Sequence, residues 1–373
     1  MLYLFLALAV TGLALILAPT STPATPNDFS AYWTAGNLLS HGMNPYDSPR
    51  VLALERTLGF RGESPLVMLN PPWALPLVVP FGVVPFAVAK SLWFVLGLLL
   101  TLVSIYWLWE LYDLGQRPAI GLLAAGTFLP VAVVLTIGQI GPLVLFGVSA
   151  FLRFERKGAN NLAGCSLYLV ALKPHLSFLL WPALVLWMMR SRRWGILSSF
   201  TFVMVTASAV AWLADPHVFS DYIRLLQGRG IVVQENPTIG GALQHWTGVA
   251  WLQFLPASIA LVWFAADWMK RRANWQWPDR LPLLLLVSMA SVSYAWFFDQ
   301  VILLPALLNA TALAMSGGRA KWAVAFSYLG MNAIVLLLIL DHRTMFWYAW
   351  TAPTWLILYL AVQWQVRKTI QYG

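Results

Sequence analysis

Long apolar runs recur along almost the entire chain, and they constrain the fold more than any single motif does. A helix needs about 20 mostly apolar residues to cross the hydrocarbon core of a bilayer. Stretches of that character lie at about 2–18, 88–110, 118–137, 141–154, 161–173, 174–190, 194–214, 248–269, 280–298, 300–316, 320–340 and 347–366. In lipid each backbone N–H and C=O must be satisfied within the protein, so such runs read as helices. The expectation is an all-α polytopic membrane protein with about 12 transmembrane helices, forming one integral membrane domain over residues 1–373. With 60% hydrophobic and only 10% charged residues, a soluble domain is excluded. The opening MLYLFLALAVTGLALILA lacks the positive flank of a cleaved signal, so it reads as a retained first helix.

The charges orient these runs. Most of the 23 basic residues, including Arg153, Arg156, Arg190, Arg193, Lys270, Arg271, Arg367 and Lys368, fall in connections on one side. The positive-inside rule makes that side cytoplasmic and predicts a multi-pass protein of the inner (plasma) membrane with both termini in the cytoplasm. The net charge of +9 is thus accounted for without nucleic acid as a partner. Acidic residues lean the other way, and two long loops, about 19–87 and 215–247, lie on the extracytoplasmic face, where chemistry is expected. In the first loop, NPPWALPLVVPFGVVPF is cut by five prolines, so it reads as a helix lying in or dipping into the interface, with a true span as the alternative. The single cysteine, Cys165, excludes a disulfide within this chain.

Four places on the outer face carry candidate chemistry. In TPNDFSAYW, Asn27 is a suitable N-cap, Asp28 occupies the first turn and Tyr32 follows four residues later on the same face. Phe29 and Trp33 form a stripe suited to anchoring that helix among lipid headgroups. Asp28 is read either as a cap that complements the helix dipole or as a general base. Lys173, in LYLVALKPHLSFLLW, is costly inside apolar sequence, so it must end a helix or face a polar cavity; it is a snorkelling anchor or a cation for a lipid phosphate, with His175 beside it. Asp299, with Gln300, sits between two apolar runs as a cap or a substrate contact. In the second long loop Arg224, Arg229, Asn236, Gln244, His245 and Trp246 offer cations, amides and an aromatic surface suited to phosphate and sugar, or simply face solvent. No phosphate-binding glycine loop, no His/Cys metal spacing, no Asp-x-Asp pair and no GxSxG elbow is present, so no metal and no cofactor is expected.

Taken in order, NDFSAYWTAGNLLSHGMNPYD, NPPWALPLVVPFGVVPFAVAKSLWFVL, GQIGPLVLFG, LAGCSLYLVALKP and ENPTIGGALQ resemble glycosyltransferase family 87 over about residues 1–260. These are polytopic enzymes of the GT-C class, including mycobacterial α-mannosyltransferases, that take sugars from polyprenyl-phosphate donors. The resemblance implies a GT-C-like fold with interfacial helices in the first outer loop, Asp28 as catalytic base and Lys173 near the donor phosphate. Arg224 and Arg229 are further candidates for the phosphate, and Tyr32, Asn37, Tyr46, His175, Asn236, Gln244, His245 and Asp299 for substrate contacts. The chain departs from mannosyltransferases of this kind around its ninth outer turn, which reads Ser-Val-Ser-Tyr and Phe-Phe-Asp rather than Ser-Pro with histidines. The expected partners are a polyprenyl-phosphate sugar donor, a lipid or glycan acceptor and membrane lipids. The rival readings are a multi-span transporter or flippase and a cell-envelope polysaccharide polymerase.

Overall fold

The computed structural model describes residues 27–112, 118–228, 236–316 and 320–372. The expected first span at 2–18 and the candidate Arg229 lie outside these residues. Among the described residues the regular elements are all helices, without strands. A group of short helices comes first: α1 (Asp28–Ser40), α2 (Ser48–Thr57) and, after a 3-10 turn at Pro72–Ala74, α3 (Leu75–Gly82). There follow α4 (Phe86–Leu111), α5 (Pro118–Gly126), α6 (Leu129–Ile137), α7 (Gly141–Arg156), α8 (Asn160–Val170), α9 (Leu180–Ser191) and α10 (Trp194–Ala214). Next come α11 (Val218–Gly228) and α12 (Ile239–Thr247), followed by α13 (Leu255–Arg271), α14 (Trp277–Ser291), α15 (Leu304–Ser316), α16 (Ala320–Leu340) and α17 (Thr351–Tyr372).

The count of about 12 spans needs correction. Among the described residues, five helical stretches are long and apolar enough to cross a membrane: Phe86–Leu111, Trp194–Ala214, Ala250–Asn274, Phe297–Met315 and Met345–Lys368. Hydropathy counts apolar runs but does not register breaks within them. The run at 118–137 is divided at Thr127 and Phe128, just ahead of Pro130, and those at 161–173 and 174–190 form helices of 11 and 12 residues. The run at 280–298 stops at Ser291, and the next helical stretch begins at Phe297, so Asp299 lies inside a 3-10 turn rather than between spans. One long stretch differs from the others: Phe297–Met315 is 83% buried, against 17–33% for the other four. It is the central element. The others expose apolar side chains such as Phe202 at 71% and Val262 at 72%, surfaces that only lipid or another apolar partner covers at low cost. The chain is a helical membrane protein.

The first short helices are locked together by close packing. A Cβ on Gly36 would lie 2.5 Å from the carbonyl oxygen of Val78, and one on Gly82 would collide with the Asn37 backbone, so α1 and α3 cross at backbone contact. Asn37 donates to the Gly82 carbonyl at 2.9 Å across that crossing. Helix and 3-10 turn over Pro72–Gly82 amount to 11 residues, about 16 Å, too short to cross a bilayer unaided. The headgroup-anchor reading of Phe29 and Trp33 is also corrected. Phe29 is fully buried among Phe81, Phe86 and Trp93, and Trp33 packs on Phe86 while its indole donates to the Val84 carbonyl at 2.9 Å. An apolar stripe on a short helix serves the core as readily as the membrane surface, and here α3 and α4 supply that core.

Candidate active site

Asn27 starts α1 as expected: its side chain accepts from the Phe29 N–H and donates to the Thr136 carbonyl, tying the helix N-terminus to α6. Asp28, the next residue, is partly buried, and its Oδ2 accepts from Gln139 Nε2 at 2.7 Å. Tyr32, one turn further along, donates to Gln139 Oε1 at 2.6 Å. Gln139 stands where α6 ends on Gly138, whose φ of +73° is in the left-handed region that glycine adopts without strain. Any Cβ at Gly138 would also meet the Phe29 Cβ at 2.6 Å, and the Gly138 carbonyl accepts from the Trp93 indole at 2.8 Å. The glycine therefore both turns the chain and lets α1 approach closely enough for Asp28 to reach Gln139. Gln139 was absent from the residues singled out in the sequence. An amide between glycine and isoleucine reads as a turn, and its only signal is its place at the end of an apolar run, in GQIG.

Lys173 approaches the same amide from the other side. Its Nζ donates to Gln139 Oε1 at 3.0 Å and pairs with Asp299 Oδ1 at 2.7 Å, with the ring of Phe298 5.4 Å away. The helix break before Lys173 leaves carbonyls without intrahelical partners. Side chains of the NPPW segment satisfy them: Asn70 donates to Leu172 O and Trp73 to Ala171 O, each at 2.9 Å, while Tyr168 donates back to Trp73 O at 2.8 Å. Asp299 in turn accepts from the Trp296 N–H at 2.9 Å, so it is a helix cap through Oδ2 and an ion-pair partner through Oδ1. Burial is the main influence on Asp28 and raises its pKa from the ordinary 3.8, opposed by the Gln139 hydrogen bond and the Lys173 charge. Burial also holds the Tyr32 phenol well above its ordinary value, which keeps it a donor to Gln139.

Asn236 contributes through the backbone. Its Oδ1 accepts from the Ala295 N–H at 3.3 Å and its Nδ2 donates to the Ser293 carbonyl, so one side-chain amide grips the extended segment between α14 and the 3-10 turn as a neighbouring strand would. That segment presents Tyr294 and Trp296, joined by a 2.7 Å hydrogen bond from the indole to the phenol oxygen. His175 lies against Tyr294, ring centres 5.9 Å apart, and its buried Nε2 has no partner among the described residues.

Asp28, Tyr32, Lys173 and Asp299 are thus brought together, with His175 and Asn236 on the adjoining wall. The other candidates fall elsewhere. Tyr46 packs on Tyr222 and donates to Asn70 O at 3.4 Å; Arg224 pairs with Asp221 on its own helix; His245 and Trp246 lie on Phe346. Gln244 is on α12 with its Oε1 buried and unpartnered among the described residues. Neither Tyr46, Arg224, Gln244 nor His245 has a contact with the Asp28 cluster.

A family model for glycosyltransferase family 87 matches residues 68–298, well over half of the chain. A bundle of lipid-facing helices with this match is a membrane-embedded glycosyltransferase, an enzyme with a sugar donor and an acceptor as substrates. The chain belongs to glycosyltransferase family 87. The matched region is shorter at the N-terminus and longer at the C-terminus than the stretch of resemblance noted above; it includes Gln139 and Lys173, ends one residue before Asp299 and begins well after Asp28. No curated protein and no solved structure matches the chain.

Proposed function

We propose that the enzyme moves a hexose or pentose, mannose as the first choice, from a polyprenyl-phosphate donor to a lipid-linked or cell-envelope glycan acceptor at the extracytoplasmic face of the plasma membrane. Asp28 is the general base and Lys173 the cation for the donor phosphate. The observation that carries this reading is the Asp28 cluster: one carboxylate oxygen is held by Gln139, and a lysine bound to the same amide stands beside it. An acceptor hydroxyl attacks the anomeric carbon as the bond to phosphate oxygen breaks; the hydroxyl proton passes to Asp28 and polyprenyl phosphate departs. A single displacement with one base inverts the anomeric centre, by analogy with inverting hydrolases. An ammonium has three protons, and two of those on Lys173 point to Gln139 and Asp299, leaving one for a phosphate oxygen. That proton stabilises charge on the leaving group as it forms. In this reading both termini are in the cytoplasm, and 19–87 and 215–247 are the outer loops.

The test is transfer from polyprenyl-phosphate mannose by purified Asp28→Asn protein. Asn keeps size and polarity but takes no proton, so the rate should fall by on the order of 10²–10⁴ while the protein remains folded. A rate within a few-fold of the parent removes Asp28 from the chemistry.

A further inference from the structure

We infer that Gln139 is a positioning residue for Asp28: its amide holds carboxylate oxygen Oδ2 and thereby presents Oδ1 as the oxygen that meets the acceptor hydroxyl. The orientation of the amide follows from its neighbours. Lys173 is a pure donor and Tyr32 O–H donates as well, at 3.0 and 2.6 Å, so both require Oε1; the carboxylate requires a donor and receives Nε2–H at 2.7 Å. Rotating the amide by half a turn would set NH₂ against an ammonium and an oxygen against a carboxylate, two repulsive contacts in place of three hydrogen bonds. The partners are themselves fixed, Lys173 by Asp299 and Asp299 by the Trp296 N–H, while Gly138 sets the backbone from which the glutamine projects. Among the described residues Asp28 Oδ1 has no donor, so the two oxygens of one carboxylate are inequivalent.

The ionisable groups facing Asp28 are Tyr32 on its own helix, Lys173 at the break after α8 and Asp299 in the 3-10 turn before α15, with Gln139 the neutral group between them. A hydrogen bond to the charged form of an acid favours that form. Gln139 therefore opposes the effect of burial and keeps more of the carboxylate available to accept a proton, which makes the role measurable apart from turnover. It depends on Asp28 being the base, and the two claims separate in one experiment.

The full chain in lipid nanodiscs is titrated by pH-difference infrared spectroscopy. The carboxylic acid band missing from Asp28→Asn belongs to Asp28, and its midpoint is followed in each variant. Gln139→Met, similar in volume and without a donor, should raise the midpoint by about 1–2 pH units. Gln139→Glu should raise it further, because a second carboxylate meets the first, and Tyr32→Phe, which keeps the Gln139 donor, should move it least. A purely space-filling glutamine would give no such order. In parallel, transfer from polyprenyl-phosphate mannose is measured, with Gln139→Met expected to lower kcat more than it changes donor KM. An unchanged Asp28 midpoint in Gln139→Met overturns the role of Gln139 even when Asp28→Asn is inactive. Normal transfer by Asp28→Asn overturns the base assignment, and the positioning role with it, whatever the midpoints are.

Discussion

Lys173 and Arg224 are both cations paired with an aspartate at 2.7 Å, and the two pairs otherwise differ in every physical respect. Lys173 and Asp299 are 126 residues apart in sequence, with side chains 11% and 1% exposed. Arg224 and Asp221 sit one turn apart on α11, the arginine 73% exposed. Water and salt screen the second pair, and an exposed pair of this kind contributes little. The first pair has lost most of its hydration, a cost recovered only when further partners complete it, as Gln139 Oε1 and the Trp296 N–H do here. Equal bond lengths therefore say nothing about equal importance. A charge marks a site when its surroundings make it expensive to keep.

The contrast can be broken at its strongest point by Asp299→Ala. Removing one member of a buried pair leaves an uncompensated cation, so unfolding in detergent should show a loss of about 3–5 kcal/mol, and Lys173→Met combined with Asp299→Leu should recover most of it. A loss under about 1 kcal/mol would make the buried pair equivalent to an exposed one. The backbone that carries Gln139 comes next. Gly138→Ala combines positive φ with a collision at Phe29, whereas Gly42, at φ +67°, has open space where a Cβ would go. Gly42→Ala reports the conformational cost alone, about 1–2 kcal/mol, and Gly138→Ala should exceed it in thermal or chemical denaturation. Equal costs would show that α1 has room to shift.

Asp28 sharpens the comparison through pH. Its folded pKa is raised, so the folded protein holds this proton more tightly than the unfolded chain does. The resulting stabilisation is complete below the unfolded value near 3.8 and is lost as pH rises through the folded value. Asp28→Asn should thus be at least as stable as the parent at neutral pH, with the gap narrowing toward pH 4, as followed by melting curves across that range. A variant less stable at pH 7 would mean that the carboxylate is a structural element first. The smallest effect belongs to Arg224→Ala, which should alter stability by no more than about 0–1 kcal/mol and leave transfer unchanged. A large loss of transfer would restore α11 to the site.

Four of the residues that converge, Asp28, Tyr32, Lys173 and Asp299, were legible in the sequence because polar groups in apolar surroundings are costly and require a reason. The N-cap at Asn27 was legible from local chemistry alone. Gln139 was not, since a neutral amide beside glycine has an ordinary turn as a sufficient explanation. The backbone partners of Asn37 and Asn236 were not legible, because sequence shows an amide without showing which backbone it will meet. Most helices lie where the apolar runs placed them, and the break at Lys173 was marked by the proline after it, but the number of membrane crossings was not legible: hydropathy sums side chains, whereas the breaks at Thr127 and Val292 depend on tertiary packing that pays for interrupted backbone hydrogen bonds.

The grip of Asn236 on Ser293 and Ala295 acts through main-chain atoms alone. The path of this segment is consequently independent of which side chains it displays. The side chain at position 293 can change while the carbonyls and amides stay in register, so this part of the wall behaves like an interchangeable faceplate on a fixed mount. A new side chain there would leave the lysine, the glutamine and the carboxylate behind it undisturbed.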